Sequence, residues 1–118
     1  MLLNETSGQI LARRPRLCAT VWSRGRGLMW RRRLGEGEAL LFDEGRESIL
    51  GASIHMFFVF FPIAVIWLDA GRRVVDLRLA RPFRPYYAPA RPARYFIEGA
   101  PALLEQAHLG DRIAWEEA

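Results

Sequence analysis

The chain contains no lysine: all 17 basic residues among its 118 are arginine, and asparagine, glutamine and threonine are also scarce. A bias spread over the whole sequence indicates a GC-rich or heat-adapted source more than a binding site. The formal net charge of +4 is modest for this length. We therefore expect nucleic acid to bind no more strongly than in weak, nonspecific association.

Cysteine occurs only once, as Cys18, and histidine only twice. A single cysteine excludes an internal disulfide, and its strand-like neighbours predict a buried, unreactive thiol. The sequence has no zinc-binding spacing, no Gly-Lys-Ser or Gly-Lys-Thr phosphate loop and no dinucleotide fingerprint. It therefore predicts no metal and no cofactor.

A secretory signal is missing as well. The first residues, Met-Leu-Leu-Asn-Glu-Thr-Ser-Gly, have neither a positive start nor a continuous apolar stretch, so we expect a cytoplasmic protein. There are no internal repeats and no linker. A chain of 118 residues that is 51% hydrophobic can bury one core, and we expect a single domain over residues 1–118.

One long apolar run, Ile49 to Leu68, allows two interpretations. Its length and lack of formal charge fit a transmembrane helix by hydropathy alone. Pro62 would interrupt such a helix, and the enrichment in Phe, Val, Ile and Trp favours strands. We therefore expect a soluble protein with two buried strands, Ile54 to Phe60 and Ile63 to Leu68. The turn signal at 69–72 and the alternation of Arg73 to Ala80 predict that the second strand forms a hairpin.

Short strands separated by glycine and proline dominate the rest of the chain. Further strands are predicted at Leu2–Leu3, Gln9–Ala12, Leu17–Trp22, Glu38–Phe42, Arg94–Glu98 and Ile113–Trp115. Helix is predicted at Arg24–Trp30, after Ser23 as N-cap, and at Pro101–His108. The proline-rich segment Arg81–Pro92 reads as a loop whose Phe83, Tyr86 and Tyr87 partly cover the core. The fold class is mainly β, a small closed or nearly closed β-barrel with one or two short helices.

Several short motifs follow one another in a fixed order between Arg16 and Trp115. They are Arg24 with Gly27-Leu28-Met29 and Arg31, Gly37 to Phe42, His55-Met56 leading to Phe61-Pro62-Ile63 and Leu68-Asp69, Ala93-Arg94-Tyr95 with Glu98, and Leu109-Gly110-Asp111-Arg112. This ordered set resembles a widespread prokaryotic family, domain-of-unknown-function family 192. The resemblance implies a small β-barrel-like domain without established activity, and it implies that Ile49 to Leu68 is barrel interior.

The sequence departs from that family at three polar positions. Many members carry Asn and Thr soon after the methionine and Asp soon after the proline, where this chain has Phe58, Val59 and Ala64. If those polar groups carry out a reaction common to the family, this protein lacks the groups for it. The departures argue against catalysis.

No remaining residue is a strong catalytic candidate. His55 lies in an apolar segment without a second ligand or nucleophile nearby in sequence, so we expect a hydrogen-bonded core residue. Asp69 begins a turn, where its carboxylate can accept backbone N–H groups. Arg24 and Arg31 either bind an anion or anchor their loop to a carboxylate.

The predicted binding site comprises Arg24, Met29, Arg31, Met56 and Asp69, which a barrel could bring together at one mouth. Because apolar residues stand at the three positions where many family members are polar, the site would be apolar with basic residues at its rim. We expect a binding or accessory module for an apolar ligand, or a protein partner, with an anionic group. Two alternatives stay open: a hydrolase or isomerase that uses Asp69 or His55 in an arginine-rimmed pocket, and an RNA-binding barrel that stacks bases on Trp22, Trp30, Phe83 and the two tyrosines.

Overall fold

A computed structural model describes residues 1–18, 38–56, 59–84 and 86–116. These residues form eight strands and one short 3₁₀ helix. The strands are β1 (Leu2–Asn4), β2 (Ile10–Ala12), β3 (Arg14–Cys18), β4 (Glu38–Ser48), β5 (Ile63–Leu68), β6 (Val74–Ala80), β7 (Ala93–Gly99) and β8 (Ile113–Ala114), and the 3₁₀ helix is Pro101–Glu105. The prediction of a mainly β protein is confirmed.

The strands pair into two sheets. The larger has the order β3-β4-β7-β5-β6, and the smaller has the order β2-β1-β8. β3 runs parallel to β4, whereas the other pairs are antiparallel. A single bridge, Arg73 to Arg112, connects the start of β6 with the segment before β8. Because one bridge is not a ladder, the described strands form no closed barrel, and that part of the prediction is not confirmed.

The hairpin of β5 and β6 has the predicted register. Ile63 pairs with Ala80 and Ile66 with Leu77. All six residues of β5 are buried, because β5 lies between β6 and β7 and both of its faces are covered. This explains why the strand appears in the sequence as a continuous apolar run.

The core has one hydrophobic cluster on each face of the larger sheet. On the first face, Ala64, Ile66 and Leu68 of β5 pack with residues of the smaller sheet and with Leu103 of the 3₁₀ helix. On the second face, Val65 and Trp67 pack with residues of the loop that precedes β5. The Trp67 indole N–H donates to the buried carbonyl of Ala52 at 2.8 Å, and this bond holds the loop against the sheet.

The first half of the apolar run differs from the prediction. Ile49 to Ala52 forms a turn, Ile54 makes one isolated bridge to Tyr87, and the Val59 N–H donates to the Met56 carbonyl. The predicted strand Ile54–Phe60 is therefore wrong in its described part, because Ile54 makes only an isolated bridge and residues 55, 56, 59 and 60 belong to no strand. No helix among residues 1–18, 38–56, 59–84 and 86–116 is long and apolar enough to cross a bilayer.

The predicted helix Pro101–His108 is shorter and of another type. Leu103 and Gln106 donate to carbonyls three residues earlier, so the segment is a 3₁₀ helix that ends at Glu105. Ala100 offers no side-chain cap, and only Leu103 of the helix is buried. The segment is too short and too weakly capped for an α-helix. The predicted helix Arg24–Trp30 lies outside the described residues, as does most of the predicted strand Leu17–Trp22.

Candidate functional site

The five predicted site residues fall into three groups. Met56 is fully buried in the second-face cluster. Asp69 lies in the turn between β5 and β6, where its Oδ1 accepts the Arg73 N–H at 3.0 Å, so the predicted turn role is confirmed. Arg24, Met29 and Arg31 lie outside the described residues.

Met56 shapes the surface beside it through its backbone. Its N–H donates to the Arg84 carbonyl at 2.8 Å, and its carbonyl accepts the Phe83 N–H at 2.8 Å. Ile54 and Tyr87 exchange two further backbone hydrogen bonds. The segment around residues 83–87 is thereby fixed along residues 54–56. His55, between the inward-facing Ile54 and Met56, is exposed, so the expectation that it is a core residue is wrong.

Exposed aromatic and basic residues follow one another in this segment, at Arg81, Phe83, Arg84 and Tyr86, and Phe60 joins them through its contact with Phe83; these five residues are called here the aromatic–arginine surface. The exposed fractions are 49% for Phe60, 46% for Phe83 and 58% for Tyr86. The Phe60 and Phe83 rings meet edge to face with centroids 5.2 Å apart. Exposed rings that contact one another are typical of a binding surface rather than of isolated surface hydrophobes.

Two of these rings are held in place. Phe83 has a φ of 62°, which is unfavourable for a phenylalanine and is maintained by its N–H bond to Met56. Tyr86 has its hydroxyl hydrogen-bonded to the Ser53 hydroxyl at 3.1 Å, while its ring stays exposed. Because both rings are already positioned, a bound group would cost little ordering entropy. Tyr87 differs: its ring packs on the core and its hydroxyl accepts the Arg81 N–H.

The arginines of this surface are not neutralised by acidic neighbours. Arg81 and Arg84 are exposed, and neither forms an ion pair with a carboxylate of the described residues. Arg94, by contrast, binds both oxygens of Asp43 at 2.9 and 3.1 Å and thereby lowers the pKa of that carboxyl. The guanidinium groups of Arg81 and Arg84 are therefore available to an anion.

A second unusual group lies inside the molecule. Glu98 of β7 is 8% exposed, and it makes no hydrogen bond or ion pair with any residue of the described segments. Its cross-strand neighbours are Leu40 and Val65, so the carboxyl faces apolar side chains. Burial raises the pKa of Glu98 to about 8. The group is therefore mainly protonated at neutral pH and can donate a hydrogen bond.

A carboxylate and a histidine also meet near the carboxyl end of the chain. Asp111 Oδ2 accepts the Asn4 side-chain N–H at 2.8 Å and the His108 backbone N–H at 2.9 Å, and it lies 3.7 Å from His108 Nδ1. These bonds lower the pKa of Asp111, with the Asn4 bond as the largest cause. Asn4 in turn donates to the Gln106 carbonyl. The cluster joins the first hairpin to the carboxyl-terminal segment, which is a structural role.

Metal binding has no support in the described part of the chain. No three His, Cys, Asp or Glu side chains there come close enough to hold an ion.

The described residues form a mainly β fold with a basic and aromatic surface, and comparison with known proteins identifies the relatives of this chain. The family DUF192, described as "Uncharacterized ACR, COG1430", matches residues 3–115. The chain belongs to this family, as the ordered motifs predicted.

Named relatives and solved structures agree with that assignment. A UPF0127 protein of Thermococcus sibiricus is 42% identical over 118 residues, which cover 98% of this chain and 75% of the relative. A UPF0127 protein of Pyrococcus horikoshii is 38% identical over 117 residues, 98% of each chain. A crystal structure of a protein of unknown function from Novosphingobium aromaticivorans superposes with a TM-score of 0.76 at 26% identity, covering 86% of this chain and 74% of that one.

Sequence reasoning missed two features of the site. The exposure of Phe83 and Tyr86 follows from the pairing of residues 54–56 with 83–87, which no local pattern indicates. The burial of Glu98 depends on its cross-strand neighbours. A signal existed for the surface, because arginine and aromatic residues alternate at 81, 83, 84 and 86.

Proposed function

We propose that this protein is a binding module that holds an apolar or aromatic group carrying negative charge on the aromatic–arginine surface. The observation that supports it most directly is the contact between the half-exposed rings of Phe60 and Phe83 beside arginines without a carboxylate partner. Rings supply apolar contact area, and arginines supply charge-assisted hydrogen bonds to an anion.

Of the predicted site residues, Met56 supports this proposal through its backbone bonds to Phe83 and Arg84. Its side chain belongs to the core and would not touch the ligand. Arg24, Met29 and Arg31 stay predicted ligand-binding residues. Asp69 is proposed as a turn residue, because its carboxylate is occupied by the Arg73 N–H. A catalytic role is not proposed, since the engaged carboxylates of Asp69 and Asp111 have structural partners.

The proposal is tested with two dyes that differ in charge. Anilinonaphthalene sulfonate is an aromatic anion, and phenylnaphthylamine is its uncharged analogue. We expect Phe83→Asn to weaken the binding of both dyes, because the ring is lost while asparagine tolerates the positive φ of 62° at this position. Arg84→Gln should weaken only the anionic dye, by about tenfold, the usual order for one charge-assisted contact.

The matched control is Leu109→Asn, which removes another exposed apolar side chain in the turn before β8. Dye fluorescence titrations of all variants give the dissociation constants. Equal affinities in Phe83→Asn, Arg84→Gln and the control would show that the dyes bind elsewhere and would overturn the proposed function.

A further inference from the structure

The two segments that build the aromatic–arginine surface contain no acidic residue. Residues 48–68 have neither Asp nor Glu, and no acid stands between Asp76 and Glu98, a stretch with five arginines. Arg78 pairs with Asp76 and Arg94 with Asp43, whereas Arg81 and Arg84 pair with no carboxylate of the described residues. Acidic residues are present elsewhere, since the chain has 13 of them. The basic bias of the whole sequence therefore does not explain this local segregation, which favours a polyanionic occupant.

Rings and cations alternate along one short stretch of backbone. Arg81, Phe83, Arg84 and Tyr86 follow one another, and Phe83 and Tyr86 are at most about 10 Å apart along an extended chain. Hydrogen bonds to Met56 and Ile54 hold this stretch against the body of the protein. A ligand that offers planar groups and negative charges in alternation matches such a surface better than a single small anion.

We propose that the aromatic–arginine surface binds single-stranded nucleic acid more tightly than the weak, nonspecific association expected from composition alone, with bases stacked on Phe83 and Tyr86 and phosphates against Arg81 and Arg84. The inference rests on the proposed function and names its partner. Single strands expose base faces to aromatic side chains, whereas the bases of a duplex are already stacked on each other. The fixed Phe83 backbone and the anchored Tyr86 hydroxyl hold the two partly exposed rings in place before a ligand binds.

An anionic membrane is the competing macromolecule, and Leu50 offers a way to distinguish the two. The most exposed aliphatic residue of this region, Leu50 at 78%, lies in the turn after β4, next to Ser53 rather than among the arginines. The side chains interleaved with Arg81 and Arg84 are aromatic. Interfacial insertion scales with buried apolar area, so the exposed Leu50 would contribute to membrane binding but little to base stacking.

The test uses the full chain and a fluorescein-labelled oligomer of about twelve uridines, a length within the usual footprint of such surfaces. Fluorescence anisotropy is measured at about 0.15 M salt, where nonspecific complexes have dissociation constants of about 10⁻⁴ to 10⁻⁶ M. We expect binding tighter than this range and at least about tenfold weaker binding to the duplex form. Phe83→Asn and Tyr86→Ser should each weaken binding to the single strand by about tenfold.

Charge is tested separately from stacking. Arg84→Gln should lower the slope of log affinity against log salt by about 0.7, the value for one phosphate contact on a single strand. Arg112→Gln is the matched control, because Arg112 is exposed but paired with Glu5 at 3.2 Å. The control should leave the affinity within about twofold, as expected for a side chain outside the contact surface.

The remaining outcomes separate the two proposals. If every variant binds the oligomer as the unmodified protein does, or if binding stays in the nonspecific range, the nucleic-acid inference is wrong. If phosphatidylserine vesicles bind in its place and Leu50→Ser abolishes that binding, the partner is a membrane, and the dye experiment still decides the proposed function. Failure of both the oligomer and the dyes would remove both proposals.

Discussion

At the scale of single residues, Glu98 is the group whose chemistry depends most on its surroundings. The carboxyl lies among Leu40, Val65 and Phe96, and burial raises its pKa from 4.5 to about 8. The folded protein therefore binds this proton more tightly than the unfolded chain does. The stabilisation of the folded protein that this bound proton provides is fully present below pH 4.5 and is lost as the pH rises toward 8.

We predict that Glu98→Gln removes this loss of unfolding free energy with rising pH. The unmodified protein should lose up to about 1.4 kcal/mol of unfolding free energy per pH unit relative to the variant between the two pKa values. Urea unfolding curves of both proteins from pH 4.5 to pH 8 measure the difference. The control is Glu105→Gln, at an exposed position of the 3₁₀ helix. Parallel pH profiles for the unmodified protein and Glu98→Gln would contradict the raised pKa.

At the scale of elements, the sequence correctly predicted the features that depend on residues close together in the chain. The β5–β6 hairpin was predictable because the turn signal at 69–72 and the alternation of β6 both lie within a few residues. The parallel pairing of β3 with β4 was not, since partners such as Arg14 and Glu38 are far apart in sequence. β4 also runs on to Ser48, beyond the predicted Phe42, through polar residues whose pairing with β7 resumes after an irregularity.

The contact between β7 and the 3₁₀ helix gives a prediction about these elements. A Cβ on Gly99 would collide with Leu103 Cδ1 and lie 3.3 Å from Leu103 Cγ, and Leu103 is buried. Gly99→Ala should therefore destabilise the protein by about 1–3 kcal/mol through overpacking. Leu103→Ala alone should cost about 2–5 kcal/mol, as for other buried leucines.

The double variant, Gly99→Ala with Leu103→Ala, distinguishes a steric clash from any other effect of the substitution at Gly99. If the clash is responsible, the double variant should lose less unfolding free energy than the two single variants together, because the new methyl group fills part of the cavity. Gly71→Ala is the control, since its nearest atom, Asp69 Oδ1, lies at an ordinary 3.4 Å. Strict additivity in urea unfolding would show that Gly99 and Leu103 do not interact as described.

At the scale of the whole molecule, the predicted fold class and family are confirmed, but the predicted closure into a barrel is not. Closure depends on whether distant strand edges meet, and in the described residues the edges of the two sheets meet at a single β-bridge, Arg73–Arg112, with the backbone hydrogen bonds around it. The candidate site, too, could be predicted only in part. Met56 and Asp69 lie where apolar and turn patterns predicted burial and a turn. The aromatic–arginine surface depends on contacts between segments that are distant in sequence.

The two sheets nevertheless share a core, and this leads to a prediction about cooperativity. Leu2 of β1 is fully buried and belongs to the same cluster as Ile66 and Ile97 of the larger sheet. Asn4 and Asp111 add a buried hydrogen bond between the first hairpin and the segment before β8. Because these contacts couple the small sheet to the centre of the large one, the whole molecule should unfold as one unit.

We predict that Leu2→Ala lowers the unfolding free energy by about 2–5 kcal/mol, the usual cost of emptying a buried leucine site. Amide hydrogen exchange should show the same loss of protection at Leu3 and at Val65, although Val65 faces the opposite cluster. Leu109→Ala, at a 67% exposed position, is the control and should change little. If Leu2→Ala accelerates exchange in β1 and β8 while β5 keeps its protection, the smaller sheet unfolds independently and the shared core does not act as one cooperative unit.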